Sequence, residues 1–132
     1  MIIDKWLSQG QALPATATTE ASTNYMDFGA AKNFAVDAMW LVIQIETAVA
    51  RTAGALNVTF AVQTDDNSSF SSATTLHTSG ALAKATLVDG YVVARLRIPP
   101  TCERYLRVAY TTDAADATGA VDAYLVMDAD IS

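Results

Sequence analysis

The stretch LNVTFAVQTDDNSSF, residues 56–70, sets an alternating segment directly against two carboxylates, an amide and two hydroxyls. In its first half Leu56, Val58, Phe60 and Val62 take every second place opposite Asn57, Thr59, Ala61 and Gln63, the period of a strand with one buried face. In its second half Asp65, Asp66, Asn67, Ser68 and Ser69 admit two readings. Oxygen ligands of this kind bind calcium, and the same side chains bond to nearby backbone groups and build turns. A helix-loop-helix calcium loop needs alternating ligands, a glycine at its turn and a later glutamate, and these are absent. The reading is therefore a strand ending near Gln63, a turn on which the adjacent Asp65 and Asp66 side chains diverge, and re-entry into the core at Phe70.

The period of two recurs along the chain. Leu41, Ile43 and Ile45 alternate with Val42, Gln44 and Glu46; Val92, Ala94, Leu96 and Ile98 share a face opposite Arg95 and Arg97. Leu106, Val108 and Tyr110 oppose Arg107, and Val121, Ala123, Leu125 and Met127 oppose Asp122 and Asp128. Turn signals (ARTAGA, DDNSSFSS, TSGA, VDG, PPTCE, DAADATG) separate the segments at the spacing of an all-β protein. Only ALAKATL, residues 81–87, has a weak helical pattern, and it fits equally a loop crossing between sheets. With no internal repeat, the strands are expected to close on each other as an antiparallel sandwich, jelly roll or short barrel.

The first 25 residues differ. QGQALPATATTEASTN, residues 9–24, is rich in small polar residues, contains Pro14 and keeps no period, which predicts an extended arm that adds nothing to the core. Ahead of it Ile2, Ile3, Trp6 and Leu7 are too apolar for a free tail and must dock on the chain's own domain or on a neighbour. These four are the candidate partner-binding residues. Removal of residues 2–12 is expected to leave a folded β-domain.

Composition narrows the function. A chain of 132 residues fits one domain, able to bury roughly two-thirds of the surface its unfolded form exposes. Its 14 acidic against 8 basic residues give a formal net charge of −6, which opposes attraction to nucleic acid or an anionic membrane. Charged residues are 17% of the chain, below the ~25% usual for soluble domains, as expected where assembly buries surface. The one cysteine, Cys102, forms no internal disulfide. The one histidine, His77, is surrounded by neither a zinc cluster nor a serine relay. Glu20, Glu46 and Glu103 are scattered, and Arg104 and Arg107, three apart in a strand, point to opposite faces. No catalytic or cofactor-binding constellation emerges. MIIDKWLSQG lacks the pattern of a secretory signal, and AVDAMWLVIQIETAVA, residues 35–50, falls short of the ~20 apolar residues that span a bilayer, so a soluble, cytoplasmically made protein is expected.

Taken in order, MIID, STNYMDFGAAKN, LNVTFAVQTDDNSSF, ALAKATLVDGYVVARLRIPPTCERYLRVAYTT and GAVDAYLVMD resemble the capsid cement, or decoration, proteins of tailed phages. The resemblance spans nearly the whole chain and departs from the family at Tyr25, Met26 and Trp40. It implies an arm over residues 1–25 and a β-jelly-roll over 26–132, forming a homotrimer that binds the major capsid protein on the outside of the expanded shell. It also implies a virion structural protein with no enzymatic activity, cofactor, metal, nucleic-acid or membrane partner. The alternative is a jelly-roll carbohydrate-binding or head-fibre base module, for which Trp6, Trp40 and Tyr91 are the available aromatics.

Overall fold

A computed structural model describes residues 5–14, 16–27, 40–51, 54–97 and 103–126; Ile2, Ile3, Ile98, Cys102, Met127 and Asp128 lie outside them. The described residues are all-β: β1 (Lys5–Ala12), β2 (Thr19–Ala21), β3 (Met26–Asp27), β4 (Trp40–Arg51), β5 (Asn57–Asp65), β6 (Thr74–Ala83), β7 (Val92–Arg97), β8 (Tyr105–Thr112) and β9 (Ala117–Val126). They form two antiparallel sheets, one ordered β1-β9-β4-β7, the other β2-β8-β5-β6 with β3 also on β8.

The core lies between the sheets and is filled by the alternating residues. Leu41, Ile43 and Ile45 on β4 and Val121, Ala123 and Leu125 on β9 come from one sheet; Val58, Phe60 and Val62 on β5 and Leu106, Val108 and Tyr110 on β8 come from the other. Phe60 and Tyr110 meet edge-to-face at 5.8 Å, a geometry aromatic quadrupoles favour. ALAKATL is not helical: Ala81–Ala83 end β6, a turn follows, and Leu87 drops into the core while its carbonyl accepts the Val49 amide at 2.9 Å. Where β4 and β9 close together, Gly119 has φ of 130° and a Cβ there would stand 3.0 Å from Val49 Cα, so no side chain fits.

Two expectations need correction. Val92 does not share a face with Ala94 and Leu96. The β4–β7 register steps from Ile43↔Ala94 to Gln44↔Val92, so a bulge at Val93 turns Val92 to the outside. The first 25 residues, read as an arm outside the core, contribute strands to both sheets. Lys5–Ala12 pairs with β9 and Thr19–Ala21 with β8, and Leu7, Ser8 and Leu13 are buried. The segment looked aperiodic because its register with β9 shifts twice, between Trp6 and Ser8 and between Ser8 and Gln11, with Gly10 at φ 61°. Each irregularity resets the alternation by which a strand is recognised. A polar knot holds β1 in place: the Tyr110 hydroxyl donates to Ser8 Oγ at 2.7 Å, Ser8 Oγ donates to Gln11 Oε1 at 2.6 Å, and that oxygen also accepts the Thr23 amide at 2.8 Å. Burial pushes the Tyr110 hydroxyl above its ordinary pKa, which keeps it protonated, and so a donor, at neutral pH.

Candidate functional site

Of the four residues expected to grip a partner, the two that are described, Trp6 and Leu7, fall on opposite sides of β1. Ile2 and Ile3 lie outside the described residues. Leu7 is fully buried in the inter-sheet core and is not a contact for another molecule. Trp6 is on the opposite side of β1, half-buried on the outer face of the β1-β9-β4-β7 sheet.

That outer face has an apolar centre. Trp6 lies opposite Tyr124, with ring centroids 5.2 Å apart, and Tyr124 lies opposite Val42 on β4. Val126, Trp40 and Val92 complete the cluster. Val42, Tyr124 and Val126 are buried beneath the half-exposed indoles, and the buried Trp40 Nε1 has no hydrogen-bond partner. A solvated sheet face carries polar residues at these places.

Charges of opposite sign flank the centre. Arg95 faces Val42 and Arg97 faces Trp40 across the β4–β7 ladder, both exposed. Toward the other end, Asp122 is opposite Gln44 and accepts the Gly10 amide at 2.6 Å. Glu46, displaced outward where the β4–β9 register shifts, comes so close to Gly10 that a Cβ there would lie 2.7 Å from its Oε2. Hydrogen bonding to Asp122 and repulsion from it push the Glu46 carboxyl above the usual range. In the sequence Glu46 stands isolated, since its neighbour in space, Asp122, comes from a strand 76 positions later.

The DDNSSF stretch is a turn. Asp65 ends β5 with its side chain buried, its two oxygens accepting the amides of Asp66 at 2.7 Å and Ser72 at 2.9 Å; Asn67 Oδ1 accepts the Ser69 amide at 2.9 Å. Phe70 returns to the interior. The Asp65 and Asp66 side chains do not diverge, because Asp66 has left the strand: with Glu103 they bring one oxygen each within 4.8 Å of one another. Arg104 and Arg107 likewise serve one cluster, since Arg104 precedes β8 and escapes its alternation. Arg107 stacks 4.3 Å from the Phe70 centroid and Arg104 4.9 Å from that of Tyr105, with Tyr25 edge-on to both rings. Arg104 also donates to both Asp27 carboxylate oxygens along one guanidinium edge, from Nε at 2.8 Å and from Nη2 at 3.2 Å.

The Ser72 amide outweighs burial and holds the Asp65 carboxyl below its ordinary pKa. A depressed folded-state value means the carboxylate's contribution is complete above the unfolded pKa of ~3.9 and is lost as the pH falls through the folded value. Asp65→Asn sets an amide donor against a backbone donor and is expected to lower the thermal midpoint clearly at neutral pH, whereas exposed Asp66→Asn leaves it unchanged. The Asp65→Asn deficit should shrink in melts below pH ~4. Equal midpoints for the two variants at pH 7 would refute this role.

Among the described residues, the arrangement is thus a two-sheet antiparallel sandwich whose most distinctive surface is an aromatic sheet face flanked by unlike charges. Residues 7–125 match the Bbp16 family, and the chain belongs to it. No curated protein matches the chain.

Proposed function

We propose that this protein is a virion structural protein of a tailed phage, a cement subunit of jelly-roll fold. It binds the outside of the expanded shell as a trimer and stabilises contacts between major capsid subunits. The strand order supports the fold reading. Counted as one interrupted strand along β8, β2 and β3 bring the described residues to eight strands in two sheets of four, the plan of a double-sheet jelly roll. The observation that carries the function is the outer face of the β1-β9-β4-β7 sheet. A large aromatic cluster between charged ends, in a chain with so few charges, fits a surface made for assembly.

The carbohydrate-binding alternative gains less. Trp6 and Trp40 do share this face, but Tyr91 packs against the inter-sheet core. The test is sedimentation of the purified protein with expanded and unexpanded phage shells. Saturable binding to expanded shells, with raised resistance of those shells to heat, is the expected result. Absence of co-sedimentation, together with binding on a glycan array, would replace this reading with the alternative.

A further inference from the structure

The outer face of the β1-β9-β4-β7 sheet has unlike charged ends that one copy of the chain leaves unneutralised. Arg95 and Arg97 occupy alternate places on β7 and so project from the same side, both exposed. Neither pairs with a carboxylate among the described residues, the ion pair there being Arg104 with Asp27. Glu46 and Asp122 stand together at the other end, and among the described residues no lysine or arginine pairs with either. Arg95 is opposite Val42, and Glu46 is four residues further along β4, roughly 13 Å away at ~3.3 Å per residue and beyond the ~8 Å screening length at physiological ionic strength. Between the ends the Trp6 and Trp40 indoles lie half-exposed over buried Val42, Tyr124 and Val126. Tryptophan and arginine are the side chains in which interface energy concentrates.

Symmetry decides what this face can hold. Its charged ends and apolar centre share one side of one sheet, so a second copy laid on it puts each arginine end on the other's carboxylate end and closes the assembly at two copies. A trimer has to be built from other surfaces, which leaves this face open to a partner of a different kind. The chemistry of that partner follows from charge complementarity: carboxylates against Arg95 and Arg97, apolar side chains on the indoles, and an ammonium or guanidinium against Glu46 and Asp122. A single extended segment of about four residues reaches from one end to the other.

We propose that this face is the surface by which the chain grips the shell, and that its occupant is a segment of the shell protein with an acidic group at one end, a basic group at the other and apolar side chains between. The inference rests on the cement reading above and gives its shell contact to one face, leaving the contacts between copies to the rest of the molecule.

Three proteins test it: wild type, Arg95→Ser/Arg97→Ser and Glu46→Lys. The three substituted side chains are exposed, and circular dichroism checks that each protein is folded. The arginine variant takes the net charge from −6 to −8 and the glutamate variant takes it to −4, so an effect of overall charge moves the two in opposite directions, whereas a contact at both ends of the face weakens both. Co-sedimentation with expanded phage shells lacking the protein is expected to show each variant bound about tenfold or more weakly than wild type, with light scattering showing the oligomeric state unchanged. Both tryptophans of the chain stand on this face, and hydroxyl-radical footprinting should find Trp6 and Trp40 oxidised in the free protein and protected on shells. Variants that bind as wild type does, or that shift in opposite directions, would place the shell contact elsewhere while the cement reading stands. Indoles already protected in the free oligomer, or variants that fall apart into monomers, would give the face to contacts between copies and overturn the proposal. A wild-type protein that binds no shell removes the cement reading and this inference together.

Discussion

Deleting residues 2–12 abolishes cooperative folding, by expectation, instead of trimming a tail. The deletion takes away β1, the strand that covers the edge of β9, together with Leu7, which is fully buried between the sheets. Removing a buried leucine side chain alone costs about 2–5 kcal/mol. The Tyr110 hydroxyl, buried and bonded to Ser8 Oγ at 2.7 Å, then has no acceptor, and an orphaned buried polar group costs about 1–3 kcal/mol. Trp6 also leaves Tyr124, and Leu7 no longer accepts the Asn24 amide with its carbonyl. These losses together approach the ~5–15 kcal/mol that is the whole stability of a domain. Urea titration followed by circular dichroism checks it, with Leu7→Ala as the milder companion, expected to remain folded but to lose about 2–5 kcal/mol. A truncated chain that still unfolds cooperatively near the wild-type midpoint would show β1 to be a dispensable arm after all.

That revision marks where sequence patterning stops being informative. β5 and β8 read correctly because their pairing is continuous: from Val58↔Thr112 to Asp65↔Tyr105 no residue is inserted, so every second side chain stays on the same face. β1 and the start of β7 contain bulges, and a bulge is a property of two strands that neither sequence displays alone. The turn after β5 was legible, since Asp, Asn and Ser act locally there. The capping of Ser72 by Asp65 needed the chain to double back.

The aromatic face was half legible. Trp6 was singled out as needing cover, yet its partner Tyr124 arrives from the far end of the chain through β1–β9 pairing. A signal for the rest was present in the runs MWLVIQI and YLVM, where Trp40, Val42, Tyr124 and Val126 put large apolar groups on the side opposite Leu41, Ile43, Ala123 and Leu125. Strands that are apolar on both faces have both faces covered. The pairing of Glu46 with Asp122 had no such signal, because each is an ordinary polar residue of an alternating strand until register and a bulge bring them together.

The second large effect is expected at the centre of the sandwich, where Phe60→Ala should cost about 3–5 kcal/mol. Phe60 is 1% exposed on β5, which has β6 on one side and β8 on the other, so truncation opens a void that no surface loop can collapse to fill. Its ring also meets Tyr110 edge-to-face at 77°, and such a pair contributes about 0.5–1.5 kcal/mol beyond its buried area. Tyr110→Phe separates the terms: it keeps the ring pair but removes the hydroxyl that donates to Ser8, and its cost should stay near the ~1–3 kcal/mol of a lost buried partner. A double-mutant cycle with Phe60→Ala and Tyr110→Ala isolates the ring–ring coupling, because the two residues touch and their separate effects should not add. Tyr25→Ala is the control, removing a ring of the same size that is 42% exposed at the periphery of the fold, and it should cost well under the ~3 kcal/mol floor set for Phe60. Chemical denaturation of the five variants, the double among them, orders these costs. A Phe60→Ala protein no less stable than Tyr25→Ala would mean that the two sheets do not close on each other around this pair.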